Sequence, residues 1–179
     1  TGASVSSAGD VNGDGISDLI IGTATPVDPV TGAVTSASAS AYVVFGATSG
    51  FGSSVDLSTL DGTNGFHVIG AGTNVPLTGF GKSHYAVRSA GDINGDGFGD
   101  VIIGAPYAST THAGIVDETG AAYVVFGHTG GFSTVDPATG ISDGAGTVNL
   151  AHLASSQGFE ILGAASGDLG ARAADAQAI

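Results

Sequence analysis

The sequence predicts an all-β fold made of two similar four-stranded antiparallel units. Three observations predict it. The 179 residues include 32 glycines, and the β-branched residues fall in short runs, a composition suited to short strands joined by tight turns. SAGDVNGDGISDLIIG at residues 7–22 returns as SAGDINGDGFGDVIIG at residues 89–104, and further ordered blocks return after it, so the chain is written twice. No stretch sustains the 3.6-residue apolar period of a long helix.

The elements follow in order. ASVSSA (3–8) and HYAVRSA (84–90) are the expected first strands. DLIIG (18–22) and DVIIG (100–104) are short apolar runs bounded by turn residues, the pattern of buried second strands. AYVVFG, at 41–46 and again at 122–127, supplies the third strand; GFHVIG (65–70) and GFEILG (158–163) supply the fourth. A minor helical turn is expected in LSTL or LAHLASS. Tyr42, Phe45, Phe51 and Phe66 recur as Tyr123, Phe126, Phe132 and Phe159, and such recurrence predicts core packing for all eight.

The phase of the repeat locates an insertion. Asp10 corresponds to Asp92, 82 residues on, but VDLSTLDGTNGF (55–66) matches VNLAHLASSQGF (148–159) at an offset of 93. The second copy therefore carries about 12 extra residues near 133–147, where repeats tolerate loops. FGKSHYAVRSA (80–90) is echoed once more by LGARAADAQAI (169–179). The expected units are 1–80, 81–169, and a further first strand at 170–179 that continues the repeat or is donated to a neighbour. Four short strands per unit, separated by glycine and aspartate turns, describe a propeller-type blade.

Composition narrows the partners. Sixteen acids oppose Lys82, Arg88 and Arg172, for a formal net charge of −13. Phosphate binding needs a basic surface, so nucleic acid is excluded as an expected partner, whereas the sign suits cations. Cysteine is absent, which removes disulfide and thiolate chemistry. Methionine is absent too, position 1 included, and a processed product or a piece of a longer protein is expected. No apolar run reaches the roughly 20 residues of a membrane helix, and no signal peptide is visible.

The acidic segments DVNGDGISD (10–18) and DINGDGFGD (92–100) carry the chemistry. Calcium takes six to eight oxygen ligands, and a short segment supplies them by alternating side chains around a sharp turn. Asp10, Asn12 and Asp14 occupy positions 1, 3 and 5; Gly15 permits the turn; the Ile16 carbonyl and Asp18 complete the set. Asp92, Asn94, Asp96, Gly97, the Phe98 carbonyl and Asp100 repeat it. An EF-hand is rejected, because position 12 is Ile21 or Ile103 instead of glutamate and a strand follows instead of a helix. Asx-rich turns alone would need Asp, Asn and Gly as well. Six carboxylates in two identical frames favour Ca²⁺, one ion per loop and two per chain, over bare turns, and over magnesium with its rigid octahedral demands.

The order FG, small-residue strand, DxNxDGxxDxIIGAP and GxxYVVFG resembles the FG-GAP repeats of integrin alpha-subunit propellers and their bacterial relatives. It stands here as Phe80-Gly81, Asp92 to Asp100 and Gly104-Ala105-Pro106, while the first copy departs at Gly22-Thr23-Ala24. The resemblance implies a calcium-stabilised blade, extracellular or at the cell surface, often in adhesion proteins.

Other chemistries have weaker support. His67, His84, His112, His128 and His152 are scattered and unmatched between copies, and no G-x-S-x-G elbow or phosphate-cradling loop occurs. The expected function is a non-enzymatic, calcium-stabilised structural or adhesive module of a larger propeller, homo-oligomer or filament. Neighbouring blades or identical subunits are the expected partners, with a protein or glycan ligand as a further class. The alternatives are a ligand-binding propeller fragment or the scaffold of a secreted hydrolase or lyase, whose acids and bases would be sought among Asp117, Glu118 and His112.

Overall fold

A computed structural model describes residues 4–23, 40–70, 86–105, 110–112, 115–117 and 120–163. The first sheet runs β1 (Ser4–Gly9), β2 (Asp18–Gly22), β3 (Ala41–Val44), β4 (Gly65–Ile69), with β10 (Thr147–Asn149) at its far edge. The second runs β5 (Val87–Gly91), β6 (Asp100–Ala105), β9 (Ala121–Val125), β11 (Gly158–Leu162). A separate hairpin, β7 (Thr110–His112) with β8 (Ile115–Asp117), is inserted in the chain between β6 and β9.

The protein is all-β, and each repeat forms one antiparallel four-stranded meander of propeller-blade type. The registers coincide. Ile20 lies opposite Val43 and Val43 opposite Phe66; their counterparts Ile102, Val124 and Phe159 pair in the same way. LSTL and LAHLASS contribute only single 3-10 turns, Leu57–Thr59 and Leu150–His152, capped by the side chains of Asp56 and Asn149. Three residues are too few for a stable helix, so the cap and the following strand set their position.

The two sheets share one core. Alternation along a strand sends successive side chains to opposite faces, and the face of Ile20, Val43, Phe66 and Val68 meets the face of Val87, Val101, Ile103 and Val125. β1 packs against β5, and Phe132 from the second repeat stacks on Phe66 of the first, 4.3 Å between centroids. Each fully buried apolar side chain of this size contributes on the order of 1.5–3 kcal/mol.

Two expectations need correction. Phe51 and Phe159 are exposed, whereas their repeat partners Phe132 and Phe66 are buried. The reason is positional, since only the inner faces of the two sheets have a partner sheet among the described residues. The first sheet also has a fifth strand: β10, in the second repeat, adds to β4 in parallel, with Thr147 opposite His67 and Asn149 opposite Ile69.

The insertion leads into that added strand. Residues 135–142 form a small excursion closed by a Val135–Ser142 bridge and by Thr134 N–H donating to the Thr147 carbonyl. At its base the Thr134 hydroxyl donates to Asp143 Oδ2 (2.6 Å) and accepts from the Asn149 N–H (2.7 Å), and His152 Nδ1 lies 2.9 Å from Asp143. Burial pushes the Asp143 carboxyl up, but the hydrogen bonds from Thr134, His152 and Asn149 outweigh it and hold it below the usual range. The expected further strand at 170–179 lies outside the described residues. Among the described residues no helix is long and apolar enough to cross a membrane.

Candidate metal centre

Each acidic segment is the connection between the first two strands of its sheet. β1 ends in a bulge at Ser7/Gly9 and β5 in the matching bulge at Ser89/Gly91, which turn the chain out of the sheet. Asp10 then organises the loop. Its Oδ1 accepts from the N–H groups of Gly13 (2.8 Å) and Asp14 (3.0 Å), and its Oδ2 from Gly15 (2.9 Å). Asn12 Oδ1 accepts from the Asp14 N–H, Asn12 Nδ2 donates to Asp14 Oδ2, and Asp14 Oδ1 accepts from the Ile16 N–H.

Asp18 closes the loop from inside the fold. It is buried, its Oδ2 accepting from the Val11 N–H (2.7 Å) and its Oδ1 from the Gly46 N–H (2.8 Å). Burial pushes this carboxyl above the usual range; the two N–H donors oppose that shift, and the charges of Asp14 and Asp10 add to it. The second loop repeats the pattern bond for bond, with Asp92 on Gly95, Asp96 and Gly97, Asn94 and Asp96 paired, and Asp100 on Ile93 and Gly127.

Gly13 and Gly95 join Gly15 and Gly97 in the left-handed region, with φ of +77° for both, so each loop takes two such turns. Sequence reasoning credited one. It also missed Gly46 and Gly127, whose N–H groups hold Asp18 and Asp100. A Cβ on Gly127 would come within 2.7 Å of the Val11 carbonyl oxygen, across the seam between repeats. The signal was present in the glycine that ends both copies of AYVVFG, which reads as the end of a strand until the aspartate is seen beneath it.

The structure thus brings Asp10, Asn12, Asp14 and Asp18 into one loop, and Asp92, Asn94, Asp96 and Asp100 into another. Their carboxylates turn toward backbone N–H groups, and among the described residues no three acidic or histidine side chains converge on a common point. The donor chemistry still fits a hard cation. All donors are oxygens, a carboxylate has about four acceptor positions, and Asp10 uses three. The chain's three Lys and Arg residues, at 82, 88 and 172, all lie outside the loops, so no basic side chain within them offsets the charge.

The loops also meet each other. The Gly99 N–H donates to the Asp10 carbonyl (2.7 Å), the His128 N–H to the Val11 carbonyl (3.0 Å), and the Phe98 ring lies over Gly13. The first loop borders an open cavity of about 310 Å³, lined by Asn12, Asp14, Phe51, Val55 and Leu60 among others. Of the residues sought for catalysis, Asp117 pairs opposite Thr110 and His112 opposite Ile115 in the β7–β8 hairpin, and Glu118 lies outside the described residues.

A family model described as FG-GAP repeat matches residues 1–36 and 88–125, each stretch taking in one acidic loop. Integrin alpha pat-2 of Caenorhabditis elegans is 46% identical over 48 residues, which are 27% of this chain and 3% of that protein. The chain therefore spans a small part of that relative's length. The two matched stretches read as FG-GAP repeats, one acidic loop in each, and the chain is similar over a short span to an integrin alpha subunit.

Proposed function

We propose that this chain is a non-enzymatic, calcium-stabilised structural or adhesive module of an extracellular or cell-surface protein, working within a larger propeller or a homo-oligomeric assembly. The observation that carries the reading is the duplication of the acidic loop, donor for donor, at the same point of both sheets. Turn formation alone needs no such charge. Asp10, Asn12, Asp14, Asp18 and the Ile16 carbonyl would hold one Ca²⁺; Asp92, Asn94, Asp96, Asp100 and the Phe98 carbonyl would hold the other. The ion would neutralise carboxylates that otherwise repel, and it would brace the seam where the loops of the two repeats touch. The likeness to an integrin alpha chain supports the extracellular and adhesive part of the reading.

Calorimetry of the chelated protein tests it. Two Ca²⁺ per chain are expected, falling to one in Asp14→Ala and in Asp96→Ala. No uptake, or uptake untouched by both substitutions, overturns the assignment.

A further inference from the structure

Three asparagines of this chain precede glycine: Asn12–Gly13, Asn64–Gly65 and Asn94–Gly95. Asparagine is a thermolabile residue, and a following glycine has no side chain to hinder attack on it. In that reaction the glycine nitrogen gives up its proton and bonds to the asparagine Cγ. The Cγ–Nδ2 bond breaks and ammonia leaves. The five-membered imide then takes up water at either carbonyl, giving aspartate or isoaspartate. Water is the only co-reactant.

The two acidic loops restrain both reacting groups. The Gly13 N–H donates to Asp10 Oδ1 at 2.8 Å, and the Gly95 N–H to Asp92 Oδ1 at 2.7 Å. Taking that proton away would set a nitrogen anion beside a carboxylate, and like charges this close repel. The carboxamide is tied as well. Asn12 Oδ1 accepts from the Asp14 N–H and its Nδ2 donates to Asp14 Oδ2, both at 3.0 Å. Asn94 makes the same two bonds with Asp96, at 3.0 and 2.7 Å. Gly13 and Gly95 are nevertheless exposed, so opening of the loop alone frees these pairs.

Asn64–Gly65 is held differently. Its carboxamide bonds the Asp61 N–H and the Thr59 carbonyl, both at 3.1 Å. Gly65 is buried at the start of β4, where a Cβ would meet the Val43 carbonyl oxygen. Freeing this pair requires β3 and β4 to part, so it reports on unfolding of the sheet.

We propose that Asn12 and Asn94 are deamidation sites, closed by the folded loop and opened by its local unfolding. The proposal stands on the hydrogen bonds of the loop and needs no bound ion. Both products weaken the loop that forms them. Aspartate replaces the Nδ2 donor with a carboxylate oxygen facing Asp14 Oδ2. Isoaspartate adds a methylene to the main chain inside the set of bonds that Asp10 makes to Gly13, Asp14 and Gly15. Loop opening is thereby recorded in the covalent structure.

Mass spectrometry of peptic peptides tests the proposal, on the full chain held in chelator at mildly alkaline pH, native and in urea. Deamidation at Asn12 and Asn94 is expected to be at least about tenfold slower in the native chain, the equivalent of one hydrogen bond to a charged group. Native rates equal to those in urea overturn the proposal. Within the native chain Asn64 should react more slowly than Asn12 and Asn94. If it keeps pace with them, the route is global unfolding and local opening is overturned. Asp10→Ala removes the acceptor of the Gly13 N–H and should speed Asn12 by about tenfold, with Asn64 and Asn94 unchanged. Asp92→Ala should do the same at Asn94 alone. A variant that speeds all three sites equally while circular dichroism shows it folded overturns the role given to the aspartate, and the wild-type comparison decides the matter where a variant does not fold. Calorimetry with calcium reports separately on the metal assignment.

Discussion

Phe132 lies nearly parallel to Phe66, 8° between ring planes, and this contact joins the second repeat to the first. Phe45 and His128 complete the cluster, with centroids 5.4 Å and 4.0 Å from Phe132. Phe132→Ala should therefore cost about 3–5 kcal/mol of stability, the range for emptying a buried aromatic site. Phe51→Ala, at the equivalent but exposed position, should cost less than about 0.5 kcal/mol. Urea unfolding at low protein concentration measures both, and equal losses would contradict the asymmetry.

Asp18 and Asp14 should separate under chelation. Removing the Asp18 carboxylate leaves the N–H groups of Val11 and Gly46 without their acceptor inside the fold. Asp18→Ala should destabilise by about 2–5 kcal/mol whether or not calcium is present. Asp14 makes its bonds in solvent, so Asp14→Ala should matter little in chelator and more in calcium. Melting temperatures of the two variants in both buffers provide the comparison.

Calcium itself should raise the melting temperature by mass action. A ligand bound only by the folded state adds about 2.7 kcal/mol at 100-fold excess over Kd. A calcium titration followed by thermal unfolding should show a continuing rise, and a flat response would count against a structural ion.

Gly127→Ala should destabilise more than an ordinary glycine replacement. Its Cβ would press on the Val11 carbonyl of the first repeat and on Phe98 Cβ at 2.9 Å. The nearest atom is the Gly99 carbonyl oxygen of the same repeat, so relief requires the backbone to shift within the second repeat as well as at the seam. Protection of the Gly99 and His128 amides from hydrogen exchange should fall selectively.

Acid should act through His67 before it acts on the carboxylates. Burial holds His67 below the ordinary value of 6.5, and its Nε2 is buried with no hydrogen-bond partner among the described residues. The unfolded chain therefore takes up the proton first, and stability is full above pH 6.5 and falls as the pH drops below it. His67→Phe should remove the loss that sets in as the pH falls below 6.5. Asp56, Asp61 and Asp136, held below 3.8 by side-chain and backbone hydrogen bonds, contribute a separate loss as the pH falls through and below that value. Urea midpoints against pH resolve the two windows.

The four strands of each meander and the turns of the acidic loops were legible from the residues because both depend on neighbours in the chain. DLIIG is β2 as read, since an apolar run between an aspartate and a glycine pairs on both sides. The Asp-x-Asn-x-Asp-Gly order produces the same hydrogen-bonded loop twice, because each bond spans five residues or fewer except the two that Asp18 or Asp100 accepts to close it. What the tertiary structure decided is which copy of a repeated residue is buried. Phe51 and Phe132, or Val55 and Val148, occupy matching positions, and their burial differs because one has a sheet beside it and the other does not. β10 was hidden for the same reason: its partner β4 belongs to the other repeat, about 80 residues away in sequence, and parallel addition across that distance leaves no local pattern.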